Sequence, residues 1–140
     1  LIAFFISVKK HKDALLVAIV ALSSLGLMSL LKNLIQRYRP PAPLVDGITN
    51  FSFPSGHALM SVAFYGVLAF YAVRMINNPV IKITILLLLF AVTLLIGFSR
   101  IYLRVHYMTD VIAGFSIGVC WMLFCFWLLN KTTKPGNQGL

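Results

Sequence analysis

Four long apolar runs, separated by short polar segments, constrain this chain more than any other feature. They lie at about 14–31, 58–73, 79–98 and 111–129. A bilayer hydrocarbon core of roughly 30 Å needs about 20 apolar residues per helix, and each run is near that length. Composition agrees, with 60% hydrophobic and only 11% charged residues, where a soluble domain carries about 25% charge. The sequence therefore predicts an all-α, polytopic transmembrane helix bundle. "LIAFFISV" at residues 1–8 reads as the end of a fifth span. The expectation is a single membrane-embedded domain over 1–140, truncated at its N-terminus, with a polar C-terminal tail at 131–140.

The connections are equally readable. Pro40, Pro41, Pro43 and Gly47 break any helix between the first and second spans. Pro79 suits the first turn of the third span. Thr109 or Asp110 can cap the fourth, and Gly114 and Gly118 within it form a G-x-x-x-G suited to close helix packing. Cys120 and Cys125 fall inside that span and read as packing residues.

Net charge is +9, from 12 Lys plus Arg against 3 Asp plus Glu. The basic residues sit between apolar spans, which argues against a nucleic-acid partner. One membrane face holds Lys9, Lys10, Lys12, Arg74, Lys82, Lys131 and Lys134; the other holds Lys32, Arg37, Arg39, Arg100 and Arg104. The positive-inside bias assigns the more basic face to the cytoplasm. The chain has no Glu, and its only Asp residues are Asp13, Asp46 and Asp110. A Mg²⁺ cage or two-metal site needs several carboxylates, so no metal and no cofactor is expected. Any chemistry on phosphate falls to cationic side chains and histidine.

The less basic face gathers the chemistry. Two polar segments there carry Lys32, Arg39, Ser55, Gly56, His57, Ser99, Arg100, His106 and Asp110. "PSGH" at 54–57 opens a helix, and the free N–H groups of a first helical turn bind anions. Ser55 adds a hydroxyl, while Lys32, Arg39 and Arg100 add charge. His106 and Asp110 are four apart and share a face if helical. An Asp bonded to one imidazole nitrogen fixes the tautomer and leaves the other free to attack, making His106 a candidate nucleophile and His57 a candidate general acid. Each piece alone has a plainer reading. "PSGH" is also an ordinary N-cap, Lys32 and Arg39 also snorkelling cations, and His106 with Asp110 also a headgroup histidine beside a cap.

Taken together, Lys32 and Arg39-Pro40 read as K-x6-R-P, residues 54–57 as P-S-G-H, and "SRIYLRVHYMTD" at 99–110 as S-R-x5-H-x3-D. In this order they resemble the three-part signature of the type 2 phosphatidic acid phosphatase superfamily. The resemblance covers about residues 14–130, with every motif position present. It implies that Lys32, Arg39 and Arg100 hold a phosphate, with Ser55, the Gly56 amide and Ser99. It implies that His106 attacks phosphorus, Asp110 orients His106 and His57 protonates the leaving group. It further implies a six-helix architecture with the site on the extracytoplasmic face.

The expectation is thus a bacterial-type plasma-membrane lipid phosphatase, its partners being the bilayer and a lipid phosphate. Undecaprenyl diphosphate of cell-wall synthesis, phosphatidylglycerophosphate and phosphatidate all qualify as substrates, since the motifs bind phosphate and not tails. A lipid phosphotransferase using the same phosphoenzyme is the nearest alternative. A vanadate-dependent peroxidase fits less well, its known relatives being soluble. A non-enzymatic membrane subunit leaves the nine-residue constellation unexplained.

Overall fold

The computed structural model describes residues 11–132; residues 1–8, read above as the end of another span, and the tail beyond 132 lie outside them. Four helices follow in order: α1 (His11–Ile35), α2 (Gly56–Met75), α3 (Pro79–Tyr102) and α4 (Met108–Thr132). Each is long and apolar enough to cross a membrane. All four overrun the apolar stretches that announced them. Lys32 and Asn33 extend α1, Ser99 and Arg100 lie in the last turn of α3, and residues 131–132, assigned above to the tail, continue α4. A helix can continue past the roughly 30 Å hydrocarbon core into the polar headgroup region, so polar residues at its ends are still helical.

Helix α2 is central and packs against α1, α3 and α4. Its most apolar stretch is 44% buried, against 6% for α3, which presents nearly all its side chains outward. Lipid is as apolar as leucine, so helix association here depends on close packing and hydrogen bonds rather than on escape from water. Both are visible. Ala14, Val17 and Val20 of α1, Ala63, Val67 and Tyr71 of α2, and Cys125 of α4 form a core toward one end of the bundle. Trp121 Nε1 donates to Ser23 Oγ at 2.9 Å, joining α4 to α1.

The G-x-x-x-G pair sets the closest approach. A Cβ on Gly114 would lie 2.8 Å from the Ser55 carbonyl oxygen and 3.0 Å from Ala58 Cβ. One on Gly118 would lie 3.0 Å from the Leu59 carbonyl oxygen. Only glycine lets the two backbones meet, and the start of α2 rests on α4 as a result.

The helix termini follow from local chemistry. Pro79 opens α3 as expected, behind Asn78, whose side chain accepts from Val80 N at 3.0 Å and Ile81 N at 3.2 Å. The end of α3 is a Schellman turn: Val105 N donates to Arg100 O and Arg104 N to Ile101 O, with Arg104 at φ 54°. The end of α1 is the simpler left-handed cap, Gln36 N to Lys32 O, with Gln36 at φ 47°. Neither position is glycine, and a non-glycine residue there costs about 1–2 kcal/mol.

Candidate active site

Helices of alternating direction bring the C-terminal ends of α1 and α3 to the same end of the bundle as the N-terminal ends of α2 and α4. The motifs sit there. A cavity of about 410 Å³ is lined by Lys32, Arg39, Gly56, His57, Arg100 and His106, a volume in the range of small-molecule sites. Its remaining wall includes Met28, one turn from Lys32, and Met60, just after His57. The cationic mouth therefore continues into an apolar floor.

The connection 36–55 folds back over this end. Ser52 N donates to Arg37 O at 2.8 Å, and Leu44 N to Leu103 O at 3.0 Å. Lys32 Nζ donates to Phe51 O at 2.5 Å. Arg39 donates from Nε to Asn50 O at 2.8 Å and from Nη1 to Val105 O at 2.5 Å, and it also bonds the Asn50 side chain. These carbonyls hold both cations at the cavity. Burial lowers the Arg39 pKa, with Asp110 opposing; guanidinium still stays charged at any working pH. Arg100 is held from its own helix, its Nε donating to Ser99 Oγ at 3.1 Å. Ser99 Oγ in turn donates to Ile96 O at 2.7 Å. Ser99 is not on the cavity wall. It steadies the arginine.

Ser55 stands at the N-cap of α2, with φ −67° and ψ 112°, yet makes no side-chain cap bond. The plain capping reading of "PSGH" therefore does not describe it. Its hydroxyl is fully buried and finds no hydrogen-bond partner among the described residues, while its N–H donates to Asp110 O at 3.0 Å. The preceding Phe53–Pro54 peptide is cis. Gly56 reaches the cavity and Ser55 does not.

His106 and Asp110 do not share a helix face as their spacing suggested. Helix α4 begins at Met108, so His106 precedes it, delivered by the Schellman turn with its N–H 3.3 Å from Arg100 O. Asp110 sits in the first turn, and its Oδ2 reaches back to Tyr107 N at 3.0 Å, half of a capping box. His106 Nδ1 lies 3.8 Å from Asp110 Oδ2, beyond hydrogen-bond range. The expected direct His–Asp bond is absent from this geometry. Ser52 Oγ fills the gap, 2.5 Å from Asp110 Oδ2 and 3.3 Å from His106 Nδ1. The other carboxylate oxygen, Oδ1, pairs with Arg37 Nη1 at 2.8 Å. Arg37 also donates to Thr109 Oγ1 and lies 4.2 Å over the Tyr107 ring.

Ser52 and Arg37 are thus the site residues that motif reasoning passed over. Arg37 was visible only as one more cation on the right face. Ser52 carried no signal, because its partners lie 54 and 58 residues away.

The imidazole of His106 is 4% exposed. Burial, then Arg39 and Lys32, push its pKa from 6.5 down to about 4, with Asp110 pulling the other way. The ring is neutral at neutral pH. Arg39 Nη1 lies 3.4 Å from Nε2, and a guanidinium can only donate, so Nε2 carries the lone pair. It also lies on the cavity side of the ring, with the cations.

Comparison with known proteins identifies the family. The family model of the PAP2 superfamily matches residues 13–134. Phosphatidylglycerophosphatase B of Bacillus subtilis (strain 168) is 38% identical over 115 residues, covering 79% of this chain and 55% of that protein. Lipid phosphate phosphatase delta of Arabidopsis thaliana is 29% identical over 110 residues, covering 70% of this chain and 26% of its own. The chain therefore spans about half or less of the length of these relatives. The crystal structure of a transmembrane PAP2 type phosphatidylglycerolphosphate phosphatase from Bacillus subtilis superposes with a TM-score of 0.81 at 30% identity, over 96% of this chain and 67% of that one. With its three motifs at one end of four helices long and apolar enough to span a membrane, and with residues 13–134 matched by the family model, the chain belongs to the PAP2 superfamily.

Proposed function

We propose that this chain hydrolyses a lipid phosphate at the extracytoplasmic membrane face through a phosphohistidine intermediate. The observation that carries this reading is a neutral His106, its Nε2 lone pair directed to a cavity where Lys32, Arg39 and Arg100 converge with the start of α2. Lys32 and Arg39 exchange backbone carbonyls for phosphate oxygens, and Arg100 and the Gly56 amide supply further donors. His106 Nε2 attacks phosphorus as the P–O bond to the lipid alcohol breaks, and His57 gives that oxygen its proton. His57 then takes a proton from water, the resulting hydroxide displaces His106, and inorganic phosphate leaves. The cations on the cavity wall, Lys32, Arg39 and Arg100, suit an anion.

The names of the Bacillus subtilis relatives point to phosphatidylglycerophosphate as the first substrate to test. The apolar floor below His57, with Met28 and Met60, suits the lipid side of such a leaving group. The test is phosphate release by the protein in lipid nanodiscs with EDTA present, together with trapping of the phosphoenzyme under alkaline quench, where a histidine nitrogen–phosphorus bond survives although acid cleaves it. Release that survives EDTA and vanishes in His106→Ala is the expected result. Full activity in His106→Ala, or activity abolished by EDTA, refutes the mechanism.

A further inference from the structure

We infer that Ser52 is a positioning residue of the site, coupling Asp110 to His106 through its hydroxyl. The inference rests on His106 being the nucleophile. Its geometric basis is independent of that role. Asp110 Oδ2 and His106 Nδ1 are 3.8 Å apart, and Ser52 Oγ lies 2.5 Å from the first and 3.3 Å from the second. Ser52 and Asp110 are 0% exposed, so water has no access to compete for these bonds.

Proton bookkeeping gives the chain a direction. A serine hydroxyl has one proton and two lone pairs. An ionised carboxylate only accepts, so the Ser52 proton goes to Asp110. At Nδ1 Ser52 must then accept, which places the ring proton on Nδ1. On the opposite side of the ring, Arg39 Nη1 can only donate to Nε2. Two contacts on opposite edges of the imidazole therefore select the same tautomer, Nδ1–H with a lone pair on Nε2. When Nε2 bonds to phosphorus the ring gains positive charge. The Nδ1–H···Oγ–H···Oδ2 chain shortens toward the carboxylate, and no proton has to change owner.

The same arrangement explains why Arg37 holds the far carboxylate oxygen. Oδ2 already accepts from Ser52 and from Tyr107 N. Arg37 anchors Oδ1, and its own carbonyl accepts the Ser52 N–H. Arg37 thus fixes both the carboxylate and the serine that bridges it to the ring. In Ser52→Ala the backbone bond to Arg37 O remains, so the loop keeps its anchor and only the hydroxyl is lost.

The decisive measurement is the tautomer of His106, read by one-bond N–H coupling in ¹⁵N-histidine-labelled protein, with His106→Gln used to assign the signal. The Nδ1–H form should dominate in the unaltered protein and give way to a mixture in Ser52→Ala. In turnover, Ser52→Ala should lose about 10²-fold in kcat with KM within about twofold, as expected for a disturbed proton-bearing partner, and Ser52→Thr should recover part of the loss. An unaltered tautomer with kcat retained in Ser52→Ala overturns the inference, since the ring is then held without the hydroxyl, by Asp110 or by the Ser52 backbone that also acts on it. A raised KM and lowered Tm with kcat retained also overturns it, by reducing Ser52 to a loop anchor. The tautomer is read without substrate. If the protein hydrolyses no lipid phosphate, the hydrolase reading falls while the Ser52 result still stands or fails on its own.

Discussion

On one side of His106, Asp110 has both carboxylate oxygens bonded within the protein, to Arg37, Ser52 and Tyr107 N. On the other side, Lys32, Arg39 and Arg100 crowd a cavity with no carboxylate on its wall among the described residues. The first region is closed on itself, with Asp110 and Ser52 buried and Arg37 reaching them from a partly exposed position. The second is a surplus of positive charge held in place by neutral groups, the carbonyls of Asn50, Phe51 and Val105 and the hydroxyl of Ser99. Neutral acceptors position a cation without cancelling it. Under the proposed mechanism the two regions have different tasks: the closed region fixes the ring, and the cationic region recruits the anion.

Substitutions on the two sides should therefore damage different constants. The largest effect is expected from Asp110→Asn, which removes the charge that Arg37 and Ser52 are arranged around. By analogy with Ser-His-Asp hydrolases kcat should fall on the order of 10⁴, with little change in substrate binding. Steady-state kinetics in nanodiscs measures the split, and a loss confined to KM would erase the distinction drawn here. On the cationic side Arg100→Ala should weaken vanadate and substrate binding by about 10–100-fold, the worth of one charge-assisted contact. Equilibrium vanadate binding reads it directly.

A subtler effect joins the two regions. Arg39 and Lys32 help hold the His106 pKa near 4, so Arg39→Gln should raise it toward 6.5. In the proposed mechanism the ring attacks in its neutral form, so the acid limit of activity should move to higher pH in that variant. An NMR titration of His106 tests the shift, and an unchanged pKa would mean that burial and Lys32 set it without Arg39. Stability follows the same sign. The unfolded chain takes up this proton near pH 6.5 and the folded one only near 4, so stability contributed by the neutral ring is lost as pH falls through that window.

Much of the cationic region was legible before any coordinates. Lys32, Arg39, Gly56, His57, Arg100 and His106 come from three motifs with fixed spacing, and the fold brings all six to one cavity. The apolar runs located four helices because a bilayer imposes a length. Their ends were misjudged because interfacial residues such as Lys32 and Arg100 are polar and helical at once. The closed region was nearly invisible. Ser52 and Arg37 act on Asp110 through contacts 58 and 73 residues away in sequence. Their placement depends on a loop folded by tertiary bonds, which no local pattern encodes. The His106–Asp110 spacing suggested a helix for a similar reason. The turn that separates His106 from α4 places a left-handed residue at Arg104, where glycine would have advertised it.

The seam at Gly114 and Gly118 bears on how the protein meets different membranes. Helices in a bilayer of mismatched thickness respond by tilting. Side-chain contacts can slip during such tilting, since side chains have rotamers. Main-chain atoms have none, and along this seam there is no room for a Cβ on α4 beside the carbonyl oxygens of Ser55 and Leu59 at the start of α2. The two helices that carry His57 and Asp110 must then lean together, while the lipid-facing α3 adjusts around them. The spacing between the start of α2 and the carboxylate behind His106 becomes a property of the protein alone, indifferent to the acyl-chain length of its surroundings.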